Sequence, residues 1–533
     1  MVSISKTSAI YLFLIVLISY IVAQTALSKR NVFDRTNVPV YDGVMYEYQQ
    51  LKRYQKFDGD FSLKNRFSQS VYEYRGNPVG GMYSLLLTFF APTFLQNDID
   101  ILIRSFIGLV LFNLAFFTLF RRRYSEWWTF CLLLLISQVP VIHDYRIGVG
   151  AYTPELIGAI YLLAGYFFLY QFILYKRNIF FIIGIVSFLF PLSFRYNFFA
   201  YASLLSLPLI FLFIRDFSSF NYKRYRLILL FGILIILIYL LNFFYHFHNF
   251  YGYYTKVCYA IGNLKDSLLF YSLNIKEFYG KLFLILLLFV FIGNILFKRS
   301  INISTNKVLG NVLMVIYPYM VYSGFVIFIM NSTNTPHIMS ISLFFGVLIL
   351  PIFQFFRLQT TFEFQSNKLL KITFSVLVVL FCLGSFLSNY LFNKNSHPEK
   401  AYTTQRFTVD YIKKHPIKSM FNCYDAMLDI PINTSLFNEN KKMVEYTGTF
   451  VIHDIYLHYT CKNFKICLDQ YVNQINKADL IVINEKETDP YIFPMAKKIR
   501  IKLRALLLTS KTHKLVFKKY FPYYGNILFY RMR

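Results

Sequence analysis

The feature that most constrains this chain is a series of long apolar runs that recur along its first 393 residues. A helix needs about 20 apolar residues to cross the hydrocarbon core of a bilayer. A sliding-window reading gives about eleven such segments, which predict a mainly α, polytopic membrane bundle. The predicted spans are 9–27, 101–120, 127–142, 154–173, 178–194, 198–214, 226–245, 281–297, 307–330, 337–356 and 372–392.

Two apolar runs need separate treatment. Residues 9–27 are long for the core of a signal peptide, so we expect an uncleaved anchor. Residues 80–95 form a shorter run that contains Pro92, and we interpret them as a helix lying at the membrane interface.

The basic residues indicate an orientation. The formal net charge is +28, although only 15% of the residues are charged. With the amino terminus in the cytoplasm, clusters such as Arg121–Arg123 and Lys176–Arg177 fall in cytoplasmic connections, which is the positive-inside pattern. A nucleic-acid-binding function is disfavoured, because no soluble basic domain or base-stacking motif accompanies the charge.

The chain then divides into two predicted domains. Residues 1–393 form the transmembrane domain, and its outer loop 28–100 carries interfacial helices. Residues 394–533 have ordinary soluble composition and strand-like runs at 479–486 and 526–533, which predict a small extracytoplasmic α/β domain.

The predicted outer domain carries cysteines and an unusual charge run. Cys423, Cys461 and Cys467 favour a disulfide there, with the pairing left open, over a zinc site, because the spacing to nearby histidines fits no standard motif. The basic residues between Lys497 and Lys519 form either a solvated face or a surface for anionic headgroups.

Three predicted outer connections hold candidate site residues. Asp42 follows the first span and lies near headgroup depth, where a carboxylate suits general-base chemistry on a lipid substrate. Glu155, with Arg146 nearby, offers a second acid, although Glu155 also fits the first turn of a helix. Arg195 lies between two apolar spans. A phosphate would be a natural partner for an arginine at such depth. Alternatively, the side chain snorkels from a helix end to the membrane surface.

The order of these segments resembles that of the GT-C membrane glycosyltransferases, in particular the bacterial relatives of protein O-mannosyltransferases and of the lipid A aminoarabinose transferase. The resemblance covers most of the chain. The chain departs from the family at Gly43, where a second acid is common, at Glu155, where Asp is common, and at His337, near the place of an Arg-Tyr pair. The matching stretches are VYDGVMYEYQQLKRY with Asp42, NPVGGMYSLLLTFF, the span with Arg104, and SFRYNFFAYASLLSLP with Arg195.

The resemblance implies a reaction. A sugar would move from a polyprenyl-phosphate donor to a hydroxyl of a glycan, lipid or protein acceptor on the outer face of a bacterial cytoplasmic membrane, with inversion. Asp42 would be catalytic, and Glu155, Arg146, Arg195 and His337 would bind substrate. No cofactor is implied; a divalent metal stays open as an alternative, although nothing in the sequence indicates one.

Other functions stay open at this point. A transporter or flippase of lipid-linked sugars would show internal repeats and acids at midplane, and the sequence shows no repeats and few buried acids. A surface-polysaccharide polymerase or ligase is a neighbouring enzyme class. A non-catalytic membrane scaffold is a third alternative.

Overall fold

The structure is a computed structural model of the chain. The residues that it describes fall into two compact units, one made of residues up to Arg30 and residues 60–394, the other of residues 31–36 and 395–533. The described residues are 6–36, 60, 62–76, 99–121, 126–144, 148–150, 155–194, 197–215, 222–248, 317–318, 321, 368–395, 400–423, 444–449, 463–486, 494–521 and 525–533.

The first unit is helical throughout its described part. Apolar side chains from most of its helices meet in one large core. The helices are α1 (Lys6–Thr36), α2 (Leu63–Gly76), α3 (Ile99–Phe120), α4 (Glu126–Ser137), α5 (Glu155–Tyr175), α6 (Asn178–Leu189), α7 (Asn197–Arg215), α8 (Tyr222–Tyr245) and α9 (Lys368–Asn395), with 3-10 turns at Pro140–His143 and Phe190–Ser193.

Three of the described helices are long and apolar enough to cross a membrane. They are the segments Ala9–Arg30, Ile101–Phe120 and Leu156–Tyr175. The other apolar helices are shorter, between 10 and 17 residues in their apolar parts. The chain is therefore a helical membrane protein with a small sheet. The predicted spans 281–297 and 337–356, and nearly all of 307–330, lie outside the described residues, so the count of eleven stays a prediction.

Contacts along α1, α3 and α5 give the direction of each helix. Tyr11 of α1 contacts Phe117 of α3 at 5.7 Å between ring centroids, and Tyr20 contacts Phe106 at 6.0 Å. Because the later residue of α1 meets the earlier residue of α3, the two helices run antiparallel. The Asn113 amide nitrogen also donates to the Ser19 hydroxyl at 2.9 Å, which is a polar link between these two helices.

Contacts also give the directions of the later helices. The Tyr161 hydroxyl donates to the carbonyl oxygen of Arg104, and the Gln171 amide nitrogen donates to that of Ala115, so α3 and α5 run parallel. Between α7 and α8, the Phe199 and Phe243 rings lie 4.5 Å apart, which joins the start of one helix to the end of the next. Helix direction thus alternates along the chain.

This alternation creates two ends of the first unit. We call one the Arg104 end: it holds the end of α1, the starts of α3, α5 and α7, and the ends of α4, α6 and α8. The opposite end holds Arg121, which forms an ion pair with Glu126 at 3.4 Å, together with Lys176, Arg177 and Arg226.

The second unit is an α/β domain with a five-stranded sheet. Strand order is β2-β1-β3-β5-β4, with β1 parallel to β2 and β3, and with β5 antiparallel to β3 and β4. The predicted strands at 479–486 and 526–533 are confirmed. The elements are α10 (Lys400–Lys414), β1 (Ser419–Cys423), β2 (Glu445–Thr449), α11 (Phe464–Asn476), β3 (Leu480–Asn484), α12 (Pro494–Leu508), β4 (His513–Phe521) and β5 (Gly525–Met532).

The central strand β3 explains the layering of this unit. All five residues of its sequence LIVIN are buried, as expected of a strand covered on both faces. Ile481 and Ile483 pack with α11 and α12 on one face, while Leu480 and Val482 pack with α10 on the other. Cys467 of α11 is disulfide-bonded, in keeping with the disulfide expected in this region.

Two described cations of this unit pair with groups at the carboxyl end of β3. Arg504 donates to the side-chain oxygen of Asn484 at 3.0 Å. Glu485 accepts from Lys518 at 2.5 Å and from the Asn526 amide at 2.8 Å. The bond from Lys518, followed by that from Asn526, lowers the pKa of the Glu485 carboxyl.

Candidate functional site

The Arg104 end is organised around a short loop that lies directly on α1. A Cβ at Gly150 would stand 2.4 Å from the backbone carbon of Ala26 and 2.5 Å from the nitrogen of Leu27, so glycine is needed for this approach. Gly148 has no room for a side chain either, because a Cβ there would meet the Asp144 carbonyl oxygen at 2.4 Å. The loop backbone is therefore held against the helix.

Side chains from two helices fix the same loop. Arg30 of α1 donates from Nη1 to the carbonyl oxygen of Gly150 at 3.4 Å. Ser105 of α3 donates from its hydroxyl to the neighbouring carbonyl oxygen, that of Val149. Because Val149 and Gly150 are consecutive, Arg30 and Ser105, the residue after Arg104, both bond to the same short segment.

Arg104 is a buried cation at the start of a membrane helix. Its side chain is only 8% exposed, and its guanidinium carbon lies 5.8 Å from the centroid of the Phe194 ring. The Tyr161 hydroxyl fixes its backbone through a 3.0 Å bond to the carbonyl oxygen. Phe194 directly precedes Arg195 in the sequence, so Arg104 contacts the residue next to the predicted phosphate-binding arginine.

More titratable groups surround this loop. His143 is fully buried, and its Nε2 lies 2.9 Å from the carbonyl oxygen of Ser137. Burial lowers the pKa of His143 to about 4, with the nearby Lys29 adding to the effect, so the imidazole is neutral at pH 7. Asp144 lies close enough to Lys29 for the two charges to interact. We call Lys29, Arg30 and Arg104 the cationic cluster.

The first predicted outer loop also reaches the Arg104 end. Its helix α2 begins with a local cap, in which the Asp60 carboxylate accepts from the backbone nitrogen of Ser62 at 2.9 Å. The Tyr74 ring stacks on Tyr245 at 5.5 Å and meets His246 edge-on at 5.0 Å, at the end of α8. Asp60 therefore has a structural role, and α2 packs on the membrane helices.

An apolar groove runs between α5, α6, α7 and α8. Its volume is about 650 Å³, within the roughly 300–1,000 Å³ of typical small-molecule sites. The hydroxyls of Ser203 and Ser206, which line it, bond to backbone carbonyl oxygens at 2.7 Å each, so they present little free polarity. Arg226, at the end opposite Arg104, also lines the groove.

One 3-10 turn lies between the groove and the cationic cluster. Leu192 lines the groove. Phe190, on the same turn, and Phe194, directly after it, contact the Tyr161 ring at 5.0 and 6.4 Å. Phe194 also lies over Arg104. An amphiphile with its chain in the groove could therefore direct an anionic head toward these cations.

The predicted site residues are only partly within the described structure. Glu155 is the first residue of α5, at the Arg104 end, which agrees with its expected place in a first turn. Four predicted residues lie outside the described part of the chain: Asp42, Arg146, Arg195 and His337. Their roles stay predictions. Among the described residues, no group of three or more His, Cys, Asp or Glu side chains could hold a metal ion.

No sequence pattern points directly to two members of the cationic cluster. Lys29 and Arg30 end an apolar run, which is where membrane helices ordinarily carry flanking cations. Their significance lies in the contact of Arg30 with a loop 120 residues away, which no local pattern indicates. Arg104 is indicated by the sequence only through the family resemblance.

Comparison with known proteins adds no assignment. The chain matches no protein-family model, and no curated protein matches its sequence. The function must therefore be argued from the arrangement of the residues themselves.

Proposed function

We propose that this chain is a membrane glycosyltransferase that moves a sugar from a polyprenyl-phosphate donor to an acceptor hydroxyl. The observation that carries the proposal is the buried Arg104, whose neighbour Ser105 bonds, as Arg30 does, to one loop at the end of the helices where the predicted acid-bearing segments begin. Buried cations at a membrane end are costly and are typical of functional sites.

The proposed roles of the arginines follow from the negative charge that the reaction develops on the phosphate. Departure of a polyprenyl phosphate leaves negative charge on the phosphate, and arginine stabilises such charge with paired, charge-assisted hydrogen bonds. Arg104, and Arg195 one residue beyond its Phe194 neighbour, would bind that phosphate. Asp42, six residues beyond the end of α1 at Thr36, would take the proton from the acceptor hydroxyl.

The groove supports a lipid-linked donor. A polyprenyl chain has no polar group to satisfy, and the groove lining is almost wholly apolar with its serine hydroxyls already bonded. Leu192 of the groove and Phe194 beside Arg104 belong to the same turn region, so chain and phosphate would be held by adjacent residues.

The proposal is tested in cells by profiling glycans and glycolipids of a strain that lacks the chain. We expect one glycan or glycolipid to lose a sugar and the corresponding lipid-linked sugar to accumulate. Restoration by the wild-type chain and failure of an Asp42→Asn variant that inserts normally would support the assignment. Full restoration by Asp42→Asn would remove the role given to Asp42.

A second candidate is a flippase of lipid-linked sugars. Arg226 favours it, because a groove with a cation at the end opposite the cationic cluster could bind a lipid phosphate at either end. A flippase would move an intact polyprenyl-phosphate sugar between leaflets of a proteoliposome, whereas the transferase would release free polyprenyl phosphate. Transfer of intact lipid without release would favour this candidate.

A further inference from the structure

Helix α12 of the second unit exposes a face that mixes lysines with aliphatic side chains. Ile501 and Leu508 are 52% and 74% exposed, so two large aliphatic side chains face away from the core of the unit. The opposite side of the helix, with Leu503 and Leu507, is buried against the sheet. We define the α12 face as Lys497, Lys498, Ile501, Lys502 and Leu508.

The spacing within α12 brings these residues together. Lys498 and Lys502 lie one turn apart, and Ile501 and Leu508 lie two turns apart, so each pair shares a side of the helix. Two aliphatic side chains with lysines beside them form the pattern of a helix that lies in the plane of a membrane interface.

The segment that carries this face is strongly basic. Residues 494–521 contain nine Lys and Arg residues and no Asp or Glu. Four of the nine have internal contacts. None of the lysines of the α12 face forms an ion pair with an acid in the described part of the chain. The four cations with internal contacts are Arg500, which is buried, Arg504, which bonds to Asn484, Lys518, which pairs with Glu485, and Lys519, which lies 3.9 Å from the Phe407 ring centroid.

The predicted span 372–392 would tether this unit to a membrane. The apolar helix α9 ends at Asn395, and α10, the first helix of the second unit, begins at Lys400. The four residues between them, 396–399, bridge at most about 18 Å between Asn395 and Lys400, so a membrane crossed by α9 would lie close to the start of α10. Anionic headgroups complement the lysines, and the acyl boundary accommodates the aliphatic side chains.

We propose that the α12 face docks on the anionic lipid headgroups of the bilayer that holds the chain. The three lysines contact lipid phosphates, while Ile501 and Leu508 enter the boundary between headgroups and acyl chains. The inference goes beyond the proposed transferase function and does not depend on it.

The test is lysine footprinting of the full-length protein in two kinds of nanodisc, one of phosphatidylcholine and one in which phosphatidylglycerol replaces part of it. A lysine near an anionic surface gains about 1 kcal/mol, which is about fivefold. We therefore expect Lys497, Lys498 and Lys502 to react about fivefold more slowly in the anionic disc, and the difference to disappear in high salt. Lys414 and Lys418, exposed in the same unit, are internal controls and should react alike in both discs.

Charge-reversal variants test whether the lysines of the α12 face cause the difference between the two discs. Lys497→Glu, Lys498→Glu and Lys502→Glu together should abolish the difference in hydrogen exchange of residues 494–508 between the two discs, whereas Lys414→Glu with Lys418→Glu should leave it unchanged. Equal labelling of the α12 face in both discs would overturn the proposal. If that equal labelling is slow in both discs, the lysines are covered by something other than anionic lipid.

Discussion

Replacing Arg104 by glutamine should weaken binding of a polyprenyl phosphate without unfolding the chain. The guanidinium is buried at the Arg104 end, where water screens it poorly. One charge-assisted hydrogen bond to a phosphate contributes about 1.5–3 kcal/mol, and each 1.36 kcal/mol is tenfold. We therefore expect affinity for undecaprenyl phosphate to fall about 10- to 150-fold.

The same change also removes the contacts that the guanidinium makes within the protein. The Phe194 contact at 5.8 Å is a cation–π interaction of about 0.5–2 kcal/mol, and the Tyr161 bond involves only the backbone of Arg104 and survives the substitution. Arg104→Lys keeps the charge but not the paired donors, so its affinity should lie between those of the wild type and Arg104→Gln.

The assay is titration of undecaprenyl phosphate into the purified chain in nanodiscs, with thermal unfolding as the check on folding. Arg121→Gln is the matched control, because Arg121 follows the other end of the same helix and pairs with Glu126. Arg104→Gln binding as tightly as the wild type would refute the reasoning. So would an equal loss of affinity in Arg121→Gln, which would point to a general charge effect.

Three further predictions concern stability. Gly150→Ala should destabilise the first unit by about 1–3 kcal/mol, because its Cβ meets the backbone of α1. Gly232→Ala, whose Cβ meets only the movable Phe181 ring, should destabilise it less, and thermal unfolding compares the two variants. The His143 pKa is about 4 when folded and about 6.5 when unfolded, so up to about 3 kcal/mol of stability should be lost as pH falls between these values, and His143→Gln should unfold with a shallower dependence on pH. The pKa of Glu485 is lowered, so its stabilising contribution is present above the unfolded value and lost in acid; Glu485→Gln should reduce this acid dependence slightly, and added salt should shrink the difference. An unchanged unfolding profile in any of these variants would contradict the contact from which it was derived.

The sequence predicted much of the helical architecture because hydropathy is a local signal. The starts of α5 and α6 fall within one residue of the predicted spans 154–173 and 178–194. The predicted span 127–142 instead divides into α4, which ends at Ser137, and a 3-10 turn that begins at Pro140. Proline lacks the N–H that a continuous helix would need there.

The candidate site was less accessible to sequence reasoning because its contacts join distant segments. Arg30 and Gly150 are 120 residues apart, and neither belongs to a recognisable motif. The basic run after residue 494 also shows this limit. Its composition suggested one uniform face, whereas Arg500 is completely buried and Lys518 is paired with Glu485.

The most direct test of the proposed transferase is release of free polyprenyl phosphate. The purified chain in nanodiscs would be given the lipid-linked sugars and acceptors extracted from its host membrane, and the lipid products would be measured by mass spectrometry. We predict that the wild-type chain releases polyprenyl phosphate as its sugar appears on an acceptor, and that Asp42→Asn releases none. No release by the wild-type chain from any of these lipids, or equal release by Asp42→Asn, would contradict the account.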